Sequence, residues 1–214
     1  YTIQNITLNE GLIEIGSDAF SGATITSLVL PDTLTIVGHS AFSGCKQLTD
    51  IIWPDNKGFT EINGFDHCTS LSDSIFDNLP TTVTSIGYEA FLGCPFTAIS
   101  LPGTIETIGE RAFAYNYNLQ TLELREGLQS IGVCAFYCCN GTDGDTGEYR
   151  EGLLNATIVV PETVAYIGAG AFSVPYNSYY AADANPGLTL KILNRDLDLK
   201  EESGECISIL GSVA

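Results

Sequence analysis

Basic residues are scarce in this sequence: eight lysines and arginines stand against 26 aspartates and glutamates, for a formal net charge of −18. So negative a chain repels phosphate backbones and anionic headgroups, which excludes nucleic acid and anionic membrane surfaces as partners. Long apolar runs are lacking too. None approaches the roughly 18 residues that a membrane-crossing helix needs, so no membrane insertion is expected. Histidine occurs twice, at His39 and His67 in different parts of the chain, and Cys134, Cys138 and Cys139 form no pair of C-x-x-C motifs, so a zinc centre lacks its ligand spacing. There is no methionine, and no charged-then-apolar leader opens the chain. With Ile3, Ile6 and Leu8 reading as the second half of a repeat, the expectation is a fragment of a longer protein.

What is abundant is repetition. Phe20, Phe42, Phe65, Phe91, Phe113, Phe136 and Phe172 follow at intervals of 22, 23, 26, 22, 23 and 36 residues, the period range of stacked solenoid repeats. In six of the seven units a glycine stands four residues before the Phe and an alanine just before it; the third unit has Glu61 in the glycine place and Gly64 before Phe65. Pro31, Pro54, Pro80, Pro102 and Pro161, with Asn9 and Arg125 in the equivalent place, each lie 11 residues before the next Phe. From Phe to the following proline position the distances are 11, 12, 15, 11, 12 and 25, so length variation is confined to that half and insertions leave one side of the stack. The expected organisation is a single array over 1–214, of about seven to eight repeats, with longer insertions at 137–157 and 173–188.

The proline sets a register. Leu28 and Leu30, Ile51 and Trp53, Ile99 and Leu101, and Leu122 and Leu124 occupy positions three and one before it, with Ile25, Leu48, Phe96 and Leu119 three residues earlier still. This L-x-x-L-x-L pattern predicts a short strand with inward Leu28 and Leu30 and outward Ser27 and Val29. Three and six residues after the proline, Leu34 and Val37, Val83 and Ile86, Ile105 and Ile108, and Leu128 and Ile131 form an opposite wall; the third unit offers Lys57 and Thr60 there and is expected to be the softest. Proline ends the strand for want of an amide donor, and the repeated glycine is expected to supply a turn that other residues resist. The "AF" segment is predicted to form a one-turn helix whose Phe plugs the core.

The string I-G-x-x-A-F-x-x-C followed by L-x-x-L-x-L-P, read at residues 15–31, 37–54 and 86–102 with small changes, resembles the BspA-like (Treponema-type) class of bacterial leucine-rich repeats over essentially the whole chain. The resemblance implies a right-handed superhelical solenoid with a parallel β-sheet on its concave face and short strands, turns and one-turn helices elsewhere. It implies further a secreted or cell-surface bacterial protein with an adhesive role towards host matrix or cells. Its motif is a scaffold motif and carries over no catalytic or binding residue.

Candidate sites therefore come from the residues themselves. Cys45, Cys68, Cys94 and Cys139 each fall three residues after a Phe, in a slot shared with Ala23 and Asn116, and read as small buried side chains; disulfides between adjacent rungs are the alternative. No catalytic constellation and no cofactor are expected. The acidic loop 140–152 carries Asp143, Asp145 and Glu148, a weak calcium candidate that departs from the order of a calcium-binding loop and reads better as solvated. Outward strand positions put Val29, Ile52 and Phe76 on successive rungs as an exposed apolar patch. The two insertions collect Tyr149, Tyr176, Tyr179 and Tyr180 among small polar residues, a composition that protein-binding loops use, although the same loops could merely cover the core. The expectation is a non-catalytic extracellular binding or adhesion module with a protein partner of unknown identity. A structural spacer and a glycan-binding module are the alternatives, the glycan being disfavoured by the core position of Trp53, the one tryptophan.

Overall fold

Most repeats contribute two short strands, and stacking builds two lines of parallel strands. The computed structural model describes residues 3–139, 153, 156–173, 188–194 and 197. The first line comprises β2 (Ser27–Val29), β4 (Asp50–Ile52), β7 (Ala98–Ser100), β9 (Thr121–Glu123), β11 (Thr157–Val160) and β13 (Thr189–Ile192). The second comprises β1 (Glu14–Ile15), β3 (Ile36–Val37), β5 (Glu61–Ile62), β6 (Ser85–Ile86), β8 (Thr107–Ile108), β10 (Ser130–Ile131) and β12 (Tyr166–Ile167). Every pairing between strands is parallel. This is a parallel β-solenoid with almost no helix among the described residues.

Between the two walls runs a stack of seven phenylalanine rings, Phe20 through Phe172, with successive centroids 5.3 to 6.0 Å apart and planes within 16° of parallel. The 36-residue step before Phe172 leaves the stack unbroken: Phe136 and Phe172 sit 5.3 Å apart, and the Phe136 amide donates to the Ala171 carbonyl at 2.7 Å. The same amide-to-next-rung bond recurs at Phe20, Phe42, Phe65, Phe91 and Phe113, so six of the seven rings are fixed by backbone as well as by contact.

Several expectations are corrected. The segment around each Phe is a turn, not a one-turn helix. Left-handed residues stand two before the ring (Asp18, Ser40, Glu89, Arg111, Cys134, Gly170) or two after it (Gly22, Gly44, His67, Gly93, Tyr115, Cys138), and a helix cannot pass through them. The glycine four before the Phe does not adopt a positive φ. It is there for close approach: a Cβ on Gly109 would lie 2.7 Å from the Gly87 carbonyl carbon, and one on Gly132 would lie 2.5 Å from that of Gly109.

Nor is the first line one continuous sheet. It is three pairs, β2–β4, β7–β9 and β11–β13, whereas β5, β6, β8, β10 and β12 of the second line join as five strands. Where the proline register would put a strand before Pro80, the three extra residues of that spacer wind into a 3-10 helix, Asp73–Phe76, capped by Ser72. The helix ties the flanking pairs together. The Trp53 indole donates to the Ile75 carbonyl at 2.9 Å, and the Asp73 carboxylate accepts from the Thr97 amide (3.0 Å), the Thr97 hydroxyl (2.6 Å) and the Ala98 amide (3.1 Å) at the start of β7.

The third unit keeps its 11-residue length by two compensating changes. Two extra residues after Pro54 carry the apolar pair to Phe59 and Ile62, both fully buried, so Lys57 and Thr60 lie outside the wall and the slots are not empty. Two residues are then missing from the corner, where Ile62-Asn63-Gly64 runs straight into Phe65. Asn56 organises the inserted turn: its Oδ1 accepts from the Gly58 and Phe59 amides and its Nδ2 donates to the Leu34 carbonyl. The second line breaks here, between β3 and β5.

Candidate binding surface

The first strand line alternates as its sequence predicts, with Leu28, Ile51, Ile99, Ile158 and Leu190 inward and their neighbours outward. Two of the outward residues are large and apolar side by side. Val29 and Ile52 are register partners on β2 and β4 and are 57% and 61% exposed. The third member of the expected patch, Phe76, is not on the surface: the 3-10 helix turns it inward, where its ring meets Phe96 at 4.8 Å and Phe91 at 5.5 Å. Further along the line the equivalent positions hold Asn78, Ser100 and Glu123, all exposed, before Val159 on β11.

Carboxylates border this pair on both sides. Asp50 stands beside it on β4, its Oδ2 accepting from the Thr49 hydroxyl at 2.9 Å. Beyond the strand ends, Glu10, Asp32 and Asp55 form a column on successive rungs, each acid but the last receiving the amide of the next: Asp32 N–H to Glu10 Oε1 at 3.1 Å and Asp55 N–H to Asp32 Oδ1 at 2.9 Å. Among the described residues none of these four acids joins an ion pair. The column follows from acids recurring one residue after the proline position, a sequence signal that apolar counting passes over. On the same line at β9, by contrast, Arg125 Nη2 lies 3.1 Å from Glu123 Oε2 and contacts Ser100 Oγ, and the guanidinium first, then Ser100, holds the Glu123 carboxyl below the usual range.

A family model described as the BspA type leucine-rich repeat region matches residues 1–87 and 61–145, with six copies. The chain belongs to the BspA-type leucine-rich repeat family. Among solved structures it is similar to a leucine-rich repeat protein from Bacteroides ovatus ATCC 8483, with a TM-score of 0.57 and 24% identity over 80% of this chain and 49% of that one. It is similar also to the T. pallidum leucine-rich repeat protein, with a TM-score of 0.54 and 23% identity over 77% of this chain and 72% of that one. At these identities the likeness is one of fold. The chain spans about half the length of the Bacteroides protein. No curated protein matches it.

In this BspA-type array the cysteine slot has a chemical role beyond small size. Cys45, Cys68, Cys94 and Cys139 are buried free thiols, and each Sγ donates to the carbonyl of the Phe one rung back (Phe20, Phe42, Phe65, Phe113) at 3.0 to 3.4 Å. Asn116 does the same for Phe91 through Nδ2 at 2.9 Å. Burial pushes the Cys94 and Cys139 thiols up, so they stay neutral donors. No disulfide links these positions.

The shortened corner of the third unit brings together residues two rungs apart. His39 and Tyr88 rings meet at 5.4 Å, and Glu89 lies 3.6 Å from His39 Nε2 and 3.3 Å from Arg111 Nη1. No sequence motif announces this cluster, because it exists only through a deletion in the rung between. No group that could hold a metal ion is found among the described residues. Tyr149, Tyr176, Tyr179 and Tyr180 and the acids Asp143, Asp145 and Glu148 lie outside the described residues.

Proposed function

We propose that the chain is a non-catalytic protein-binding module of a bacterial secreted or cell-surface protein, acting in adhesion through the outward face of its first strand line. One observation carries this reading: Val29 and Ile52 are exposed as an adjacent, registered pair on a line whose other outward positions are mostly polar. A pair of β-branched side chains on rigid strands offers apolar area at little entropic cost. Leucine-rich repeat arrays are in general protein-binding and not catalytic. The tyrosine-bearing insertions, with Tyr149, Tyr176, Tyr179 and Tyr180, are a second proposed contact.

The test is direct binding of the chain to immobilised matrix proteins, cells and glycans, with and without Val29→Ser/Ile52→Ser. Saturable binding to a protein that weakens by about 2 kcal/mol in the double variant, with melting retained, supports the strand face. Unchanged affinity in that variant but loss in Tyr176→Ala/Tyr179→Ala/Tyr180→Ala moves the site to the insertions. No saturable signal anywhere leaves a spacer, and saturation by glycans alone replaces the protein partner.

A further inference from the structure

We infer that the partner of the Val29–Ile52 surface is a cationic protein segment, one that sets an aliphatic side chain over the pair and places lysine or arginine on either side of it. The inference rests on the strand-face reading above and adds the chemistry of the occupant. Charge complementarity carries it. The apolar pair is bordered on one side by Asp50 and on the other by Glu10, Asp32 and Asp55, all exposed and none in an ion pair among the described residues. Two of the acids in the column are oriented by backbone amides of the next rung, and Asp50 by the Thr49 hydroxyl, so the carboxylates are held in place before any ligand arrives.

Basic residues are scarce around the patch, and none is ion-paired to its acids among the described residues. From residue 3 to residue 70 the sequence has two lysines, Lys46 and Lys57, and no arginine, against eight acids: Glu10, Glu14, Asp18, Asp32, Asp50, Asp55, Glu61 and Asp66. Farther along the same strand line the acids are partly answered, Arg125 pairing with Glu123 and Lys191 standing on β13. Glu126 and Glu162 repeat the column's contact farther along, the Glu162 amide donating to Glu126 Oε1 at 3.2 Å, but the acids beside Val29 and Ile52 are the ones that flank an adjacent, registered apolar pair. An anionic or purely polar segment laid there would leave those carboxylates facing like charge or would forfeit the apolar contact. A segment alternating cationic and aliphatic residues satisfies both, since side chains on an extended strand alternate as the surface does.

The probe is a synthetic peptide alternating lysine and isoleucine, beside one with glutamate replacing lysine and one with serine replacing isoleucine. Titrated into the 214-residue chain, the lysine–isoleucine peptide is expected to bind at least about tenfold more tightly than either control. Val29→Ser/Ile52→Ser and Asp32→Asn/Asp50→Asn/Asp55→Asn are each expected to weaken it by about tenfold or more, the second also flattening the salt dependence. Asparagine retains the oxygen that receives the Asp55 amide, so the fold is preserved, and a melting curve verifies this. Absence of binding, equal binding of the glutamate peptide, or full affinity in either variant overturns the inference. If matrix-protein binding still falls in Val29→Ser/Ile52→Ser while the asparagine variant leaves it unchanged, the strand-face reading stands and the cationic partner fails alone.

Discussion

Two kinds of glycine do different work in this chain. Gly44 has φ +65° with open space around its Cα, so an added Cβ would meet only backbone strain. Gly132 has no such φ but lies against the backbone of Gly109. Gly44→Ala is expected to cost about 1–2 kcal/mol, the penalty of a left-handed residue. Gly132→Ala is expected to cost more, because two backbones must separate; chemical denaturation of the pair checks the order. The thiols give a pH signature. Cys94 and Cys139 have folded pKa values above the ordinary 9.0, so the stability they contribute is complete below that pH and is lost as pH rises past it, when the unfolded thiols ionise first. Between about pH 8 and about pH 10.5 the melting temperature should fall less in Cys94→Ser/Cys139→Ser than in the parent, serine being a donor that does not titrate there. An equal fall in both would place these thiols in water.

At the scale of elements, the 3-10 helix Asp73–Phe76 is a splice between β4 and β7. Asp73→Ala removes the acceptor of two amides and a hydroxyl at the start of β7 and is expected to cost about 1–3 kcal/mol, with Asp73→Asn recovering part of it. Hydrogen exchange should show faster exchange of the Thr97 and Ala98 amides. The strands of the first line were legible because period-two alternation and a closing proline state both faces and one end. The second line reads in the sequence only as a wall, since two-residue strands leave no alternation to see. Phe76 was legible as apolar but not as buried: three extra residues change the local geometry from strand to 3-10 helix, and no spacing rule says which.

Over the whole molecule, the Phe period survives every insertion and so gave the solenoid directly, while the shift inside the third unit escaped because its two changes cancel in the count. With Phe59 and Ile62 filling the wall, the third unit is expected to be protected from exchange as well as its neighbours. Phe113→Ala, in the middle of the ring stack between Phe91 and Phe136, is expected to cost about 3–5 kcal/mol in equilibrium unfolding. The candidate surface was half legible: Val29 and Ile52 follow from alternation, whereas the bordering carboxylates become a site only when rungs 22 or 23 residues apart are laid side by side.

The corner shortened at Asn63 and Gly64 lets His39 touch Tyr88 and Glu89 over the head of the rung between them. Elsewhere a solenoid peels one rung at a time under tension, because each rung holds only the next. Here the chain has a clasp, and a molecule pulled from its ends should give short, even extensions interrupted by one longer jump as these rungs let go together. In His39→Ala/Tyr88→Ala that jump should divide into single-rung steps.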